Sequence, residues 1–379
     1  MNQKFYLNHF LHYMNTSQNT LNQPLVSVII PAFNAENFIA KTLESVLSQT
    51  YQNIQVLVVD DGSTDTTAEI ITSFVQKDSR VSLFHQPNAG VAVARNLAIE
   101  KSKGEYIAPI DADDIWYPHN LEKQVKCLTS SAPSVGVVYS WSVDINEKDL
   151  LTGGFYNSTI EGEVYTALIY KYFIGNASSS LIRRVCFAKV GGYNCKLKLE
   201  NAQGCEDWEL HLRIAEHYQF KVVPEYLVGY RQIASSMSSN YAAMAKSHSL
   251  IMADVRQQHP EIPSSIYRWS SSNFYIYLAV KSNRSGNHRS TLSWLYRAFK
   301  EDLSMALLRH NLYLLFIESI LKIIVTPPPA SELELKPASE SSEGTTLARI
   351  ETRTKAHRML PSQVYERMRF NSLGNLKSK

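Results

Sequence analysis

The 379-residue chain is poor in cysteine. Cys127, Cys186, Cys195 and Cys205 contain no C-x-x-C pair, so the sequence offers no zinc ribbon and no dithiol redox centre. Four scattered thiols suit a reducing compartment. Charge of one sign is also lacking: 38 Lys+Arg stand against 35 Asp+Glu. That balance removes nucleic acid as a default partner. No apolar run reaches the roughly 20 residues of a bilayer-spanning helix. The nearest candidate, Leu312 to Val325, is interrupted by Glu318, Ser319 and Lys322. The N-terminus has no apolar signal core, so the cytoplasm is the expected location. Absent as well are G-x-x-x-x-G-K-[ST], G-x-G-x-x-G, G-x-S-x-G and H-E-x-x-H. P-loop NTPases, dinucleotide oxidoreductases, serine hydrolases and zincins lose their support with them.

Present instead is ample material for a core, with 44% hydrophobic and 19% charged residues. A polar leader over 1–23 precedes a strand at 26–30 (VSVII) that stops at Pro31. Phe38, Ile39, Leu43, Val46 and Leu47 then recur at helical spacing. A second strand, 56–59, ends at Asp60-Asp61-Gly62. Thr66 and Glu69 have capping-box spacing for the next helix. The alternation continues with a strand at 81–84, a helix at 91–101, a strand at 106–110, a helix from Pro118 to about Leu128 and a strand at 135–139. Strand–helix pairs in series predict a mostly parallel α/β sheet. Ligands of such sheets bind beyond the strands' carboxyl ends, where the acidic clusters at 60–61 and 111–114 both fall. Beyond 150 a helix is expected over 206–218, a strand over 220–223 and a largely helical region over 241–325.

Asp111-Ala112-Asp113-Asp114 carries the sharpest chemistry. In an extended segment residues i and i+2 share a face, so Asp111 and Asp113 would offer two carboxylates to one hard divalent cation. Taken alone, D-x-D is also a common solvated turn. The pair Asp60-Asp61 suits a nucleoside, because a carboxylate accepts from a base N–H or a ribose hydroxyl. Ser63 and Asp65 read as helix caps. Arg95 has the planar donor fork that would pair with Asp61 or with phosphate. Glu206 and Asp207 sit at a helix start, where acids cap electrostatically and where a catalytic base would be rigidly held. Tyr230-Arg231 and 235–238 read as a polar loop after a strand.

In order along the chain stand VSVIIPAFNAENFIAKTLESVLSQTY, VVDDGSTD, NAGVAVARNLAI, GEYIAPIDADD, GCEDWELHLRIAE and VGYRQIASSMS. This series, over roughly 24–240, resembles the family 2 glycosyltransferases. The resemblance implies a GT-A fold, a Rossmann-like sheet flanked by helices, and inverting transfer from a nucleotide-sugar donor with Mn²⁺ or Mg²⁺. The donor would carry UDP, GDP or dTDP. The acceptor would be a saccharide, a lipid-linked molecule or a protein. Mapped by motif, Asp61 would hold the base with Asp60 beside it, Pro31, Ala32 and Phe33 would line the nucleoside, and Arg95 would support them. Asp113 would be the main metal ligand. Asp111 would assist through ribose or metal-bound water, with Ala112 between them at the donor. Asp207 would be the catalytic base, with Glu206 the second candidate. Where many relatives carry a His after Tyr-Arg, this chain has Gln232 and Ile233, which leaves a third metal ligand without a residue.

A metal-dependent nucleotidyltransferase would also use paired acids, but Pro31 to Asn37 contains neither Gly nor Lys for a phosphate loop. A non-catalytic binding protein on the same fold is the third reading, and it would be expected to lack Asp113 or Asp207. The expected organisation is a leader at 1–23, a GT-A domain at 24–240, a helical region at 241–326 and a disordered tail at 327–379. The stretch 303–325 reads as a core helix, with peripheral contact to the inner face of a membrane as its other use.

Overall fold

The computed structural model describes residues 23–233, 236–304 and 309–325. All of the expected leader but Gln23, and the expected tail, lie outside them. Strands β1 (Val26–Ala32), β2 (Ile54–Asp60), β3 (Val81–His85) and β4 (Tyr106–Pro109) alternate with helices α1 (Ile39–Leu47), α2 (Thr67–Lys77) and α3 (Val91–Lys101). After β5 (Ile115–Trp116) come α4 (Asn120–Thr129), β6 (Val135–Ile145), β7 (Leu151–Tyr156), α5 (Tyr165–Tyr170) and β8 (Ser180–Arg183). Then follow α6 (Arg184–Val190), α7 (Lys196–Leu199), α8 (Glu206–Ala215) and β9 (Gln219–Arg231). Helices α9 (Tyr241–Gln258), α10 (Ser264–Arg284), α11 (His288–Glu301) and α12 (His310–Val325) close the described chain.

Among the described residues the strands form one sheet in the order β3-β2-β1-β4-β8-β6-β9-β5, with β7 on β6. Strands β1 to β4 are parallel to one another, as are β6 and β9, while β8 runs antiparallel to both of its neighbours. Both faces are covered, which is why β1 and β2 read as unbroken apolar runs. Val56 and Val58 pack into one core layer with Ile39, Leu43 and Val46 of α1, while Leu57 and Val59 pack into the other with Ala94 and Ala98 of α3. Each fully buried aliphatic side chain of this kind contributes about 1.5–3 kcal/mol. The second layer is the deeper one, because α5 and α8 to α11 all join it.

The parallel register brings the strand ends level. Ala32 at the end of β1 lies opposite Asp60 at the end of β2. On the far half, Arg231 ends β9 opposite Ile145 of β6. One edge of the sheet thus collects the loops after β1, β2, β4 and β9.

Several local expectations are corrected. The Thr66–Glu69 capping box does not form. The Thr66 hydroxyl donates to Glu36 instead, at 2.7 Å, and Asp65 Oδ1 accepts the Thr67 N–H. The crossing of the β1–α1 and β2–α2 loops supplies a closer carboxylate than Glu69. Ser63 is not a cap either, since its Oγ accepts the Asn34 N–H. Strand β6 runs on to Ile145 through Ser140, Ser142 and Asp144, which the sheet and neighbouring loops bury. Strand β9 extends through Pro224, whose missing N–H is tolerated where the register shifts between Ser140 and Trp141. Tyr230 and Arg231 therefore lie in a strand, not a loop. Helix α12 is only partly a core helix: Leu312 is buried in the core and Leu315 packs against it, whereas Tyr313, Leu314, Ile317, Leu321, Ile324 and Val325 are exposed. No helix among the described residues is long and apolar enough to cross a membrane.

Candidate active site

A cavity of about 1510 Å³ opens at the shared edge of the sheet. Single-ligand pockets run to about 300–1,000 Å³, so this one has room for two substrates. Pro31, Ala32 and Phe33 line it together with Asp61. Asp61 is buried and already accepts three hydrogen bonds, from Gln86 Nε2 (2.7 Å), Ala89 N (2.7 Å) and Gly90 N (2.8 Å). A carboxylate has about four acceptor positions, which leaves one for a ligand. Two of the bonds come from the entry to α3, where a negative charge is favoured. Gly90 precedes α3 with φ +95°, and a Cβ there would meet the Lys198 side chain at 2.5 Å. Asp60 turns away: its carboxylate takes the Ser63 N–H (3.1 Å) and pairs with His85 (3.1 Å), and it does not line the cavity.

The segment 111–114 is a turn rather than an extended strand, closed by Asp114 N–H to Asp111 O at 3.1 Å. The turn sends the third acid inward. Asp114 is fully buried and accepts from Arg231 N (2.8 Å) and Ser178 Oγ (2.5 Å). Ser178 Oγ in turn accepts the Asp111 N–H. Arg231 is buried as well, donating to the carbonyls of Asp113 and Asn146 at 2.6 Å each and pairing with Asp149 at 2.5 Å. The acidic turn is thereby bolted to the end of β9. Asp111 and Asp113 remain on the cavity wall beside Ala112. Burial, and next the nearby Asp111, push the Asp113 carboxyl up to about 7.

Arg95 pairs with Asp111, not with Asp61. It is only 5% exposed and lies 5.0 Å from the Tyr193 ring centroid. Its Nε is a buried donor with no protein acceptor. Burial opposes its charge, but Asp111 and Asp207 outweigh that cost and hold the guanidinium firmly protonated.

Asp207 opens α8 on the same cavity. Tyr172 Oη donates to its Oδ2 at 2.9 Å and Trp208 N–H to its Oδ1 at 2.9 Å. Burial raises its pKa, and Arg95 and the Tyr172 bond pull it back. Tyr172 lies against Trp208 with centroids 5.6 Å apart, and its hydroxyl also reaches His211 Nδ1 at 3.1 Å. Glu206 is engaged with its own turn, accepting the Gly204 N–H at 2.9 Å, and burial likewise raises its pKa.

Asp61, Asp111, Asp113, Glu206 and Asp207, expected from three separate motifs, thus share one hollow. Sequence reasoning missed Tyr172, which no motif marks, and the structural role of Asp114, whose signal was a third acid in the cluster. Gln232 accepts from Lys281 at 2.7 Å. Among the described residues no group of three or more His, Cys, Asp or Glu is arranged to hold a metal. Two facing carboxylates do fit Mg²⁺ or Mn²⁺, which complete their shells with phosphate and water.

Residues 27–191 match the model of glycosyl transferase family 2. Over that stretch the chain is similar to the family 2 glycosyltransferases. An uncharacterized glycosyltransferase of Haemophilus influenzae is 47% identical over 106 residues, 28% of this chain and 42% of that protein. Glycosyltransferase GlyG of Streptococcus pneumoniae is 37% identical over 134 residues, 35% of this chain and 40% of that protein. Chondroitin synthase of Pasteurella multocida is 32% identical over 200 residues, 52% of this chain and 20% of that protein. The matches span less than half of each of these relatives. Among solved structures, S. aureus TarS 1–349 with UDP-GlcNAc superposes with a TM-score of 0.52 at 17% identity, covering 78% of this chain and 88% of that one. The shared fold is of the GT-A type.

Proposed function

We propose that this chain transfers a glycosyl residue from a nucleoside diphosphate sugar to an acceptor hydroxyl, inverting the anomeric carbon, in the synthesis of a polysaccharide or glycoconjugate. The observation that carries the reading is the convergence of Asp61, Asp111, Asp113 and Asp207 on one cavity large enough for both substrates. The catalytic unit is the segment 24–240, and TarS, solved with UDP-GlcNAc, shares its fold.

The nucleoside lies along Pro31 to Phe33, with the open acceptor position of Asp61 facing its base. Asp111 and Asp113 would hold Mn²⁺ or Mg²⁺, which when bound supplies positive charge to the departing diphosphate. Arg95 keeps Asp111 in place and adds a fixed cation at that end of the cavity. Asp207, aimed by Tyr172 and Trp208, takes the acceptor hydroxyl's proton as that oxygen attacks the anomeric carbon. The bond from that carbon to the diphosphate oxygen breaks as the new glycosidic bond forms, so one displacement inverts the centre. A carboxyl raised by burial suits a base that must accept a proton near neutral pH. Glu206, committed to the Gly204 N–H, shapes the turn instead.

The test is a panel of UDP-, GDP- and dTDP-sugars with Mn²⁺, run on wild type and Asp207→Asn. Turnover in the variant drops by about 10²–10⁴, with donor binding retained. A variant that turned over like wild type would remove Asp207 from the chemistry.

The helical end supports contact with an anionic lipid surface. Residues 241–325 hold ten Lys and Arg against five Asp and Glu, whereas 24–240 hold 18 against 24. The exposed stripe Tyr313, Ile317, Leu321 and Ile324 follows i, i+4 and i+3 spacing along α12. Helix α12 itself carries only Lys322 against Glu318, so its exposed apolar face would enter the surface while the basic excess of the preceding helices draws it there.

A further inference from the structure

Tyr172 stands between two groups of one helix. Asp207 and His211 lie one turn apart on α8, so their side chains share a face. Tyr172, from the segment after α5, lays its ring against both Trp208 and His211, with centroids 5.6 Å and 6.0 Å away and planes 22° apart in each case. Its hydroxyl thereby meets Asp207 Oδ2 at 2.9 Å and His211 Nδ1 at 3.1 Å. His211 is 1% exposed, and Phe220 of β9 meets it edge-on at 5.8 Å. Its Nε2 has no hydrogen-bond partner among the described residues.

Counting protons decides the direction of each bond. Burial, and next Asp207, hold the Tyr172 phenol well above its ordinary range, so it keeps its single proton. An ionised carboxylate can only accept, so that proton goes to Asp207. The hydroxyl can then only accept from Nδ1, and Nδ1 must carry a hydrogen. Burial, and next Arg95, push the His211 imidazolium down to about 3, so near neutral pH the ring has one N–H and no more. That hydrogen is at Nδ1. Nε2 is left as a bare lone pair, in keeping with its lack of a partner. The reverse tautomer would bury an Nε2–H with no acceptor, and its Nδ1 lone pair would compete with Asp207 for the one phenolic proton.

We propose that His211 is a positioning residue of the transfer: its Nδ1–H donates to Tyr172 Oη and so commits the tyrosine's only proton to Asp207. The inference rests on the glycosyltransferase reading for the role of Asp207 as base; the direction of the bonds stands on the geometry. His211 takes no proton from the acceptor. A neutral ring that donates at Nδ1 gives the Tyr172 proton one place to go and polarises that hydroxyl toward the carboxylate. The Tyr172 bond favours ionised Asp207, so strengthening it widens the pH range in which the base is available. The other groups that act on Asp207 are Arg95, Asp111, Tyr156, Tyr193, Cys205 and Glu206, and none of them touches the His211 ring through a hydrogen bond.

The experiment has a spectroscopic and a kinetic arm, both on the full chain. The first is ¹⁵N NMR of ring-labelled histidine near neutral pH without substrates, with His211→Asn assigning the His211 signals. The expected spectrum has a protonated Nδ1 and a bare Nε2, and Tyr172→Phe, which removes the acceptor, ends the dominance of that tautomer. An Nε2–H tautomer or an imidazolium in wild type overturns the proposal, as does a tautomer indifferent to Tyr172→Phe. The second arm follows nucleoside diphosphate release from UDP-, GDP- and dTDP-sugars with Mn²⁺, with glucose, N-acetylglucosamine and water as acceptors. His211→Phe lowers kcat about five- to tenfold, the size of one net hydrogen bond. The donor KM is unchanged, and the acid limb of the pH profile moves upward. His211→Asn, whose amide N–H stands near the place of Nδ1, recovers most of the loss. In Tyr172→Phe the further change His211→Phe leaves kcat where it is. Losses that add in full, an unmoved acid limb, or equal losses in His211→Asn and His211→Phe overturn the proposal. A wild type that releases nucleoside diphosphate from no donor counts against the glycosyltransferase reading, and the nitrogen spectrum still decides the direction of the bonds.

Discussion

Replacing Arg95 by Met removes a buried cation that acts on both Asp111 and Asp207. Three effects follow from its surroundings. The pair with Asp111 is lost, the stacking on Tyr193 is weakened, and Asp207 loses the largest influence that lowers its pKa. Breaking a buried ion pair by removing one partner costs about 3–5 kcal/mol. Asp111 keeps part of its surface in solvent, with 29% of its side chain exposed, so the expected loss is at the lower end, about 3 kcal/mol. Urea unfolding of wild type, Arg95→Met, Asp111→Asn and the double variant measures it and yields the coupling between the two. Non-additivity on the order of 1–3 kcal/mol is expected for residues in one network. The kinetic sign is fixed too. Arg95 favours ionised Asp207, so without it the base stays protonated to higher pH, and the acid limb of the pH–rate profile moves upward. Additive single and double variants, with an unmoved acid limb, would refute the electrostatic coupling proposed for this end of the cavity.

Two further outcomes complete the picture. Asp113 takes a proton at about 7 in the folded chain, whereas an unfolded carboxyl releases it near 3.9. Between those values the folded state binds more protons, so ionisation of Asp113 costs stability as pH rises through that window. A divalent cation reverses the cost. Calorimetric UDP affinity in Mn²⁺ therefore strengthens from about pH 6 to about pH 8, and Asp113→Asn abolishes both the metal dependence and the slope; a flat wild-type profile would contradict the pairing with Asp111. At the other end, flotation with phosphatidylglycerol vesicles should carry the chain upward, phosphatidylcholine vesicles should not, and Ile317→Glu with Leu321→Glu should abolish the effect. Self-association without vesicle binding would instead make α12 a contact between copies.

How much of this was legible beforehand differs by element. The parallel half of the sheet was, because strands covered on both faces must be apolar throughout and the intervening helices carry a 3.6-residue period. Strands β6 and β9 were legible only at their starts. Their later residues are polar or include Pro224, and only the enclosing loops and the register shift make them strands. The acids were legible as clusters at strand ends, because parallel topology sends every such end to one edge. Their individual roles were not. Asp60, Asp61, Asp111, Asp113 and Asp114 look alike as letters, yet Asp60 binds His85, Asp61 caps α3 at the cavity wall, Asp111 and Asp113 face the cavity from the turn and Asp114 is buried under Arg231.

What the chain's order of residues determined by itself was the α/β layering, the resemblance to family 2 glycosyltransferases and which acids were available to act, since these rest on local periodicity and on motifs in series. What only the tertiary structure decided was the partnership of each charge. Arg95 went to Asp111 and not Asp61, Tyr172 came to aim Asp207, and Asp114 was drawn under Arg231. Charge pairing is decided by distance in space through a poorly screening interior, and residues scores of positions apart acquire that distance only when the helices close over the sheet.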